Sequence, residues 1–515
     1  MMRYKRITAL ILAILAALAM RSAGSLAAPQ ERMLNLAMIC PADTRLMPLE
    51  IDSRSLVSIL KLVYEPLVIM DDGRNITPNL AESFRYVGGN AWEFTLRQDV
   101  MFHDGSTLTA QDAVDTLNAI SALAKQNQGP YREAANLLTD WEAKSEYVFR
   151  VRAKNSSYAT LYAMTFPIIK GGGIRFECPP GTGPYKISFY QAGSQLLLSR
   201  NNEWWQRGSY FTALTAKWYK TDNDALAAFQ MGEVDVMQTR SLNATRYRGI
   251  AGSSITSLMY STNQLELLMF NNYSSLWGSL EMKKAISHAI DRGRLMANVY
   301  QNIAMSTDNL TPLGSAWYND SSTVYQYNPD ASNRMLDALG YTQRDDAGFR
   351  VSPQTGETLA VRLYYYDESG TTFRRDVAFM IDDMLRAVGI DCRVTYFRLE
   401  NAMPKLEIGD FDMFLCGMNF SDVPDPTFFI SRASDMNYSR YRSAESQDML
   451  KKLAAASDKD DFYAIQFELQ RQVSADLPVL PLFYRGGMLL MRGAFLTAIN
   501  LRENDVLRTF AQANR

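Results

Sequence analysis

The sequence predicts an α/β protein with more than one lobe. Stretches with strand-like alternation and stretches with helical periodicity succeed one another along the 515 residues. Two runs rich in glycine and proline interrupt them, at residues 171–184 and 476–487. Two crossings beside a cleft would allow hinge closure around a ligand, because a few connecting residues absorb the rotation. Composition alone would favour two ordinary surface loops.

The amino-terminal segment has the pattern of an export signal. Arg3, Lys5 and Arg6 precede an apolar run at residues 7–20, and a small-x-small site ends at Ala27. The apolar run is shorter than the roughly 20 residues that cross a bilayer, although an uncleaved anchor stays an alternative. The first cysteine, Cys40, follows too late to accept a lipid, so we expect a soluble exported protein with residues 1–27 removed.

Composition narrows the class of protein. The chain is 47% hydrophobic and 21% charged, which is typical of a globular protein with two or three cores. Its net charge is −2, and removal of residues 1–27 takes away basic residues only. Such a surface does not attract nucleic acid or anionic lipid.

Four cysteines, Cys40, Cys178, Cys392 and Cys416, are spread along the chain. Zinc ligands usually come in close pairs such as C-x-x-C, so this spacing fits no metal site. Export permits disulfides, and four cysteines allow three pairings. Buried free cysteines, without disulfides, are an equally favoured alternative.

His103 lies in a predicted turn between a strand and a helix. Residues 92–97 alternate as a half-buried strand does, and Gly105 suits a turn. Thr109 and Asp112 have the spacing of a capping box for the helix that follows. We therefore expect a structural rather than a catalytic role for His103.

No motif for catalysis accompanies the two histidines. His288 lies off the apolar stripe of a predicted helix that contains Met282, Ile286 and Ile290. The sequence holds neither a phosphate-binding G-x-x-x-x-G-K-[ST] nor a zinc-binding H-E-x-x-H. An exported hydrolase that uses two carboxylates stays open, since sequence cannot pair acidic residues in space.

The chain resembles the family 5 extracellular solute-binding proteins, the peptide- and nickel-binding components of bacterial ABC importers. The resemblance begins in ITPNLAESFRYVGGNAWEFTLRQDVMFHDGSTLTAQDAV and continues in GTGPYKISFYQAGSQLLLSRNNEWW, ALAAFQMGEVDVM and MKKAISHAIDRGRLMANVY. YNPDASNRMLDALGY, FDMFLCGMNFSDVPDPTFF and DLPVLPLFY complete a series in the family's order. Coverage of nearly the whole mature chain makes the resemblance specific to the family but not to a substrate.

The resemblance implies a two-lobed periplasmic-binding-protein fold of type II, similar to cluster C, with an extra small domain and a hinge cleft. Lobe I would combine residues 28–62, 178–268 and 478–515. The small domain would occupy residues 63–177, and lobe II residues 269–477. The resemblance also favours one of the three cysteine pairings, in which each disulfide lies within one lobe. These disulfides would join Cys40 to Cys178 and Cys392 to Cys416.

The implied function is capture and delivery without chemistry. The protein would be a periplasmic monomer that binds short peptides, needs no cofactor or metal, and passes its cargo to the permease subunits of an ABC transporter. An extended peptide would add to the cleft as a strand, which gives affinity independent of side chains. The alternative keeps the fold and binds a nickel chelate or another small solute.

The resemblance also indicates ligand-binding residues. Asp422 aligns with the aspartate that meets a peptide's amino end, although an extra residue after Gly417 disturbs the alignment, and Asp422 could instead cap a helix or turn at Pro424. The other candidates match regions that line the cleft in relatives or, in the case of Met418, a place where tryptophan is common. They are Arg45, Met47, Tyr364, Tyr366 and Met418.

Overall fold

The structure is a computed structural model that describes residues 33–173, 178–206, 211–249, 254–368, 371–493 and 501–507. The predicted export signal, residues 1–27, lies outside the described residues. Within the described ranges, none of the helices combines the length and the apolar character that a membrane crossing needs.

Strands and helices alternate as predicted. The strands are β1 (Met33–Ile39), β2 (Val68–Met70), β3 (Ile76–Pro78), β4 (Ala81–Gly88), β5 (Ala91–Leu96), β6 (Leu138–Ser145), β7 (Val148–Ala153), β8 (Tyr185–Gln191), β9 (Gln195–Arg200), β10 (Ala213–Tyr219), β11 (Val236–Thr239), β12 (Ile255–Phe270), β13 (Met305–Ser306), β14 (Ala360–Tyr365), β15 (Asp391–Tyr396), β16 (Met413–Asn419) and β17 (Val479–Arg492). The α-helices are α1 (Arg54–Leu60), α2 (Ala110–Lys125), α3 (Arg132–Leu137), α4 (Asp222–Met231), α5 (Leu280–Ala289), α6 (Arg292–Tyr300), α7 (Pro329–Ala338), α8 (Phe373–Ala387), α9 (Leu399–Ile408), α10 (Thr427–Ile430), α11 (Ala444–Ala455) and α12 (Lys459–Asp476).

One large sheet extends through both halves of the molecule. Among the described residues it has eleven strands, in the order β15-β14-β16-β12-β17-β11-β1-β10-β9-β8, with β13 pairing to β17. Strands β14 to β16 lie within the predicted lobe II, and β1 and β8 to β11 lie within the predicted lobe I. The lobe boundaries themselves stay a prediction.

The two longest strands, β12 and β17, join these halves. β17 pairs with β12 at residues 479–484 and again at 486–492, where it also meets β11. Between the two stretches the β12 register shifts between Ser261 and Leu265. Gly486 and Gly487 therefore lie inside a strand rather than in the predicted loop, and strand continuity carries the chain from one half to the other.

The small sheet has the order β4-β5-β7-β6 and occupies part of the predicted small domain. The predicted strand at residues 92–97 is β5, but its polar Glu93 is buried too. Its carboxylate forms ion pairs with Arg85 Nη2 at 2.7 Å and Arg150 Nη2 at 2.5 Å.

The predicted capping box at the start of α2 is also confirmed, since the Asp112 carboxylate accepts a hydrogen bond from the Thr109 N–H at 2.9 Å.

His103 lies in the turn between β5 and α2, as predicted. Its Nε2 lies 3.0 Å from the Gly183 carbonyl oxygen, and its backbone N–H donates to Gly181. Burial lowers the pKa of His103 to about 4, so the imidazole is neutral near pH 7. The histidine therefore ties this turn to the 178–184 segment.

The Gly171–Gly173 segment, predicted as a crossing between lobes, belongs to a short 3-10 helix, Lys170–Gly173, whose backbone is not helical at Gly171 and Gly172, and its place between lobes stays a prediction. All three glycines have positive φ, and a Cβ on Gly172 would lie 2.6 Å from the Asp115 carbonyl oxygen. Only glycine allows both the left-handed backbone and this close approach to α2.

The predicted disulfide between Cys392 and Cys416 is wrong. All four cysteines lie in described segments, and no disulfide joins any two of them. Cys392 on β15 pairs with Val361 of β14, whereas Cys416 on β16 follows Leu415, which pairs with Tyr365. Two strand spacings and a shift of about five residues separate the cysteine Cα atoms by ~19 Å, far above the roughly 7 Å that a disulfide spans.

The predicted disulfide between Cys40 and Cys178 is not formed in the structure either. Both sulfurs lie near Tyr190, whose pKa is raised by burial and by these two neighbours. Burial also raises the pKa of the Cys40 thiol, which favours its protonated form.

Candidate functional site

A large cavity lies where the two halves of the large sheet meet the predicted small domain. Its volume is about 500 Å³. The walls come from α1, the start of α3, the β12 bulge at residues 261–264, the loop at 419–423 and the segment 502–505. Because these segments are far apart in sequence, the cavity exists only in the folded chain.

Asp422 lies in the wall of this cavity, in the loop after β16. Its Oδ1 accepts a hydrogen bond from Asn263 Nδ2 at 2.8 Å and lies 3.5 Å from Arg74 Nη1. No described residue donates a hydrogen bond to its Oδ2, and the side chain is 31% accessible. Asp422 also lines two smaller neighbouring cavities. One oxygen of the carboxylate is thus available to a ligand.

The electrostatics at Asp422 favour its charged form. Burial opposes ionisation, but the positive charges of Arg74 and Arg502 and the Asn263 amide hold the pKa of Asp422 below its ordinary value.

The alternative role of Asp422 as a helix cap is wrong. Asp425 accepts the Thr427 N–H at 2.9 Å at the start of α10, and Asp422 does not.

Arg74 is a site residue that sequence reasoning missed. It lies in the turn between β2 and β3, has a φ of 61°, and its side chain is 3% accessible. The Asp71-Asp72-Gly73 sequence before it signals a turn. No local pattern could place its guanidinium beside Asp422, which lies 348 positions further along the chain.

Glu133, in the first turn of α3, is a second residue that sequence reasoning missed. It lines the large cavity near Asp422. Burial, together with the negative charges of Asp422 and Asp425, raises the pKa of Glu133 to about 7, against a lowering contribution from the Ser421 hydroxyl. Near neutral pH this carboxyl group is poised to gain or lose a proton when a charged ligand arrives.

The basic residues of the cavity wall already have acidic partners. Arg240 makes two hydrogen bonds of 2.6 Å to the Glu503 carboxylate, and Arg54 lies 3.6 Å from the same group. Asp505 likewise lies 2.8 Å from Arg502. These pairs reduce the attraction of the wall for an anionic ligand.

Two predicted cleft residues, Arg45 and Met47, lie away from the cavity. The Arg45 side chain is 62% accessible, lies 3.8 Å from Glu50 and does not line the large cavity, so its role as a ligand contact stays a prediction. Met47 is buried in the main core, where its sulfur approaches Gly173. Methionine at this position fills the core rather than lining the cavity.

The remaining three predicted contacts, Tyr364, Tyr366 and Met418, do not line the large cavity either. Tyr364 is buried between Phe397 and Phe414. The Tyr366 ring lies under the Arg374 guanidinium, and its hydroxyl donates to the Gly417 carbonyl oxygen at 3.3 Å.

Met418 belongs to β16, where it pairs with Leu265 and packs against the main core. Its side chain is half-buried against that core and does not line the large cavity. Neither His103 nor His288 lines the large cavity; His288 Nδ1 lies 2.7 Å from the Gln326 carbonyl oxygen. In the described part of the chain, no group of three or more His, Cys, Asp or Glu side chains could hold a metal ion.

Two sheet halves joined by long strands, with a large cavity at their junction, are the architecture of a solute-binding protein. The chain belongs to the bacterial extracellular solute-binding proteins, family 5, whose sequence profile for the middle region matches residues 75–440. Members of this family are transport proteins that bind solutes.

Curated relatives are similar over most of their length. The oligopeptide-binding protein AppA of Bacillus subtilis is 22% identical over 84% of this chain and 82% of its own. The nickel-binding periplasmic protein of Escherichia coli is 21% identical over 80% of each chain.

Solved structures share the fold. The unliganded open form of the murein tripeptide binding protein MppA superposes with a TM-score of 0.80 at 16% identity, over 93% of this chain and 95% of that one. NikA of Brucella suis, solved with Fe(III)-EDTA, gives a TM-score of 0.76 at 20% identity, over 94% and 99%. The two-lobed periplasmic-binding-protein fold predicted from the sequence is thereby confirmed.

Proposed function

We propose that this protein captures short peptides in the large cavity and delivers them, chemically unchanged, to the permease of an ABC importer. The observation that carries the proposal is the charged Asp422 carboxylate in the cavity wall, with one oxygen that no described residue occupies. A peptide ammonium removed from water costs several kcal/mol unless a carboxylate meets it. Asp422 is placed to do so.

The backbone around the cavity supports an extended ligand. Pairing of β12 with β17 is interrupted along residues 262–264, which lie in the cavity wall. The other edge of β12 stays occupied there, since Gln264 pairs with Asn419 and the Asn263 carbonyl oxygen accepts a hydrogen bond from the Phe420 N–H. The strand edge that faces away from β16 would bind a peptide main chain without reading its side chains. A cavity of about 500 Å³ leaves room for water-mediated contacts as well.

Closure of the lobes is part of the proposal. We place lobe I at residues 28–62, 178–268 and 478–515, the small domain at 63–177 and lobe II at 269–477. Rotation would be absorbed where β12 and β17 lose their regular pairing, near Ser261 and Gly486. The protein would act in the periplasm as a monomer, after removal of the segment that ends near Ala27.

The decisive experiment compares Asp422→Asn with the parent protein in isothermal titration against a tetrapeptide and its amino-acetylated form. Loss of a buried charge pair costs ~2–5 kcal/mol, so we expect the variant to bind the free-amino peptide at least about thirtyfold more weakly. Binding of the acetylated peptide, which carries no ammonium, should change little.

The matched control is Asp425→Asn, which removes a neighbouring carboxylate that caps α10. It should affect both peptides equally. Equal losses for both peptides in Asp422→Asn would contradict the proposed anchor. Mass spectrometry of the released peptide tests for turnover, and cleavage products would favour a carboxylate-based hydrolase.

A nickel chelate or another small solute is the second candidate, and the similarity to the Escherichia coli nickel-binding protein supports it. Equilibrium dialysis with Ni²⁺, alone and with free histidine or EDTA, tests this candidate. Saturable retention of the chelate, with no retention of any peptide, would replace the peptide proposal.

A further inference from the structure

The turn between β2 and β3, residues 71–75, contacts both predicted lobes. Arg502, in predicted lobe I, donates hydrogen bonds to the backbone carbonyl oxygens of residues 70 and 71 at 2.9 and 2.7 Å. Ala316, in predicted lobe II, donates its N–H to the Gly73 carbonyl oxygen at 2.7 Å. This turn of the predicted small domain therefore bridges the two lobes.

A buried chain of hydrogen bonds joins the same turn to α12. The Tyr162 hydroxyl lies 3.1 Å from the Tyr463 hydroxyl, which donates to Asn75 Oδ1 at 3.2 Å. Asn75 in turn donates to the Asp71 carboxylate, at 2.8 Å from its N–H and 3.0 Å from Nδ2. Three of these residues belong to the predicted small domain, and Tyr463 belongs to predicted lobe II. The Tyr463 hydroxyl is thus the link across the boundary.

Aromatic packing surrounds the two hydroxyl groups. The Trp317 ring meets the Tyr162 ring edge-on, with centroids 5.3 Å apart, and lies 5.7 Å from the Tyr463 ring. All three side chains are buried, so water is kept from the hydrogen bonds. Tyr162 also lines the large cavity. We call Asn75, Tyr162, Trp317 and Tyr463 the clasp.

The clasp resists separation of the parts that it joins. Moving α12 away from the small domain would expose the three rings to water and break the hydrogen bonds of the Tyr463 hydroxyl. All of these contacts are made between protein groups. The clasp therefore acts whether or not a cargo molecule is bound.

We propose that the clasp is a conformational device that holds the small domain on lobe II and so sets the cost of opening the large cavity. A stronger clasp leaves fewer molecules in the open arrangement, and a weaker one leaves more. The effect on cargo affinity rests on the proposed peptide-binding function. The effect on the shape of the ligand-free protein does not.

The test is Tyr463→Phe, which keeps the ring and removes the hydroxyl. With the lobes together, Asn75 Oδ1 then loses its donor and the Tyr162 hydroxyl loses its partner, and both groups stay buried. Water satisfies both groups when the lobes separate, so the variant should favour the open arrangement. Small-angle X-ray scattering of the ligand-free variant should give a larger radius of gyration than the parent, and excess peptide should reverse the increase.

Affinity should fall with the fraction of molecules in the binding arrangement. We expect Tyr463→Phe to bind a tetrapeptide and its amino-acetylated form about fivefold more weakly or less tightly still, with the same factor for both. An equal factor is expected because the clasp does not touch the ammonium. Isothermal titration measures both affinities.

The matched control is Tyr441→Phe. Tyr441 is also buried, but its hydroxyl bonds to Ser446 and Asp476, which lie with it inside predicted lobe II. This variant should keep the radius of gyration and both affinities of the parent. If Tyr463→Phe does not fold, as judged by circular dichroism, Tyr162→Phe removes the other hydroxyl of the pair and should change the radius of gyration in the same direction.

The outcomes separate the two proposals. A radius of gyration that stays at the parent value in the folded variant, or that increases as much in Tyr441→Phe, would refute the clasp. A loss confined to the free-amino peptide would also refute it, because the substitution would then act through the ammonium site. Failure of the parent to bind any peptide would refute the proposed function, while the scattering comparison would still decide the clasp.

Discussion

Replacement of Glu266 by glutamine should strongly destabilise the fold. Glu266 on β12 is buried, and its carboxylate lies 2.8 Å from Arg374 Nε. Arg485 Nε lies 2.6 Å from the same carboxylate, in a charge contact without the alignment of a hydrogen bond. Glu368 completes the group, with contacts of 2.9 Å to Arg374 and 2.8 Å to Arg485. Two positive and two negative charges therefore balance.

The size of the effect follows from what remains after the substitution. Glu266→Gln keeps the shape of the side chain but leaves Arg374 and Arg485 buried against one carboxylate. Removal of one partner from a buried ion pair costs ~3–5 kcal/mol. Glu368 is 39% accessible and still neutralises one guanidinium, so we expect the lower end of that range, about 3 kcal/mol.

The assay is urea unfolding followed by tryptophan fluorescence, with the free energy of unfolding compared between variant and parent. The matched control is Glu468→Gln, which removes an exposed carboxylate that pairs with Arg471. Exposed pairs contribute roughly 0–1 kcal/mol, so the control should unfold as the parent does. If Glu266→Gln loses less than about 1 kcal/mol relative to this control, the reasoning about buried charge is refuted.

Two further predictions concern pH and packing. Burial raises the pKa of Glu133 to about 7, and a bound ammonium would favour its ionised form. Binding should therefore release a proton, and the affinity for free-amino peptides should rise from pH 5 to pH 7. Calorimetry in buffers of different ionisation enthalpy measures the released proton, and an unchanged pH profile in Glu133→Gln would contradict this prediction. Gly487→Ala would place a Cβ 2.1 Å from the Tyr260 hydroxyl, so it should cost about 1–3 kcal/mol in urea unfolding. Gly293→Ala, inside helix α6, should be neutral or stabilising by contrast, and equal effects at the two positions would refute the packing argument.

Local patterns predicted the features that depend on neighbouring residues. The capping box of Thr109 and Asp112, the turn at His103 and the buried stripe of α5 are each encoded within a few positions. The ordered series of family motifs predicted the two-lobed fold, and it directed attention to Asp422, which the structure places in the cavity wall.

Contacts between distant segments decided the rest. The predicted contacts Met47 and Tyr364 are core residues. Strand alternation and family position place a residue near a cleft loop, but they do not show in which direction its side chain packs. The Cys392–Cys416 pairing failed for a related reason, since sequence does not reveal that β14 lies between their strands.

The sequence by itself determined the alternation of strands and helices, the family and one proposed anchor carboxylate, because periodicity, turn chemistry and motif order are local or serial properties of the chain. Only the tertiary structure decided what surrounds that carboxylate. The guanidinium of Arg74 and the carboxyl of Glu133 come from segments about 290 to 350 positions before Asp422, and their charges matter only because folding removes them from water. The chemistry of this site is therefore a property of the folded chain, not of any segment within it.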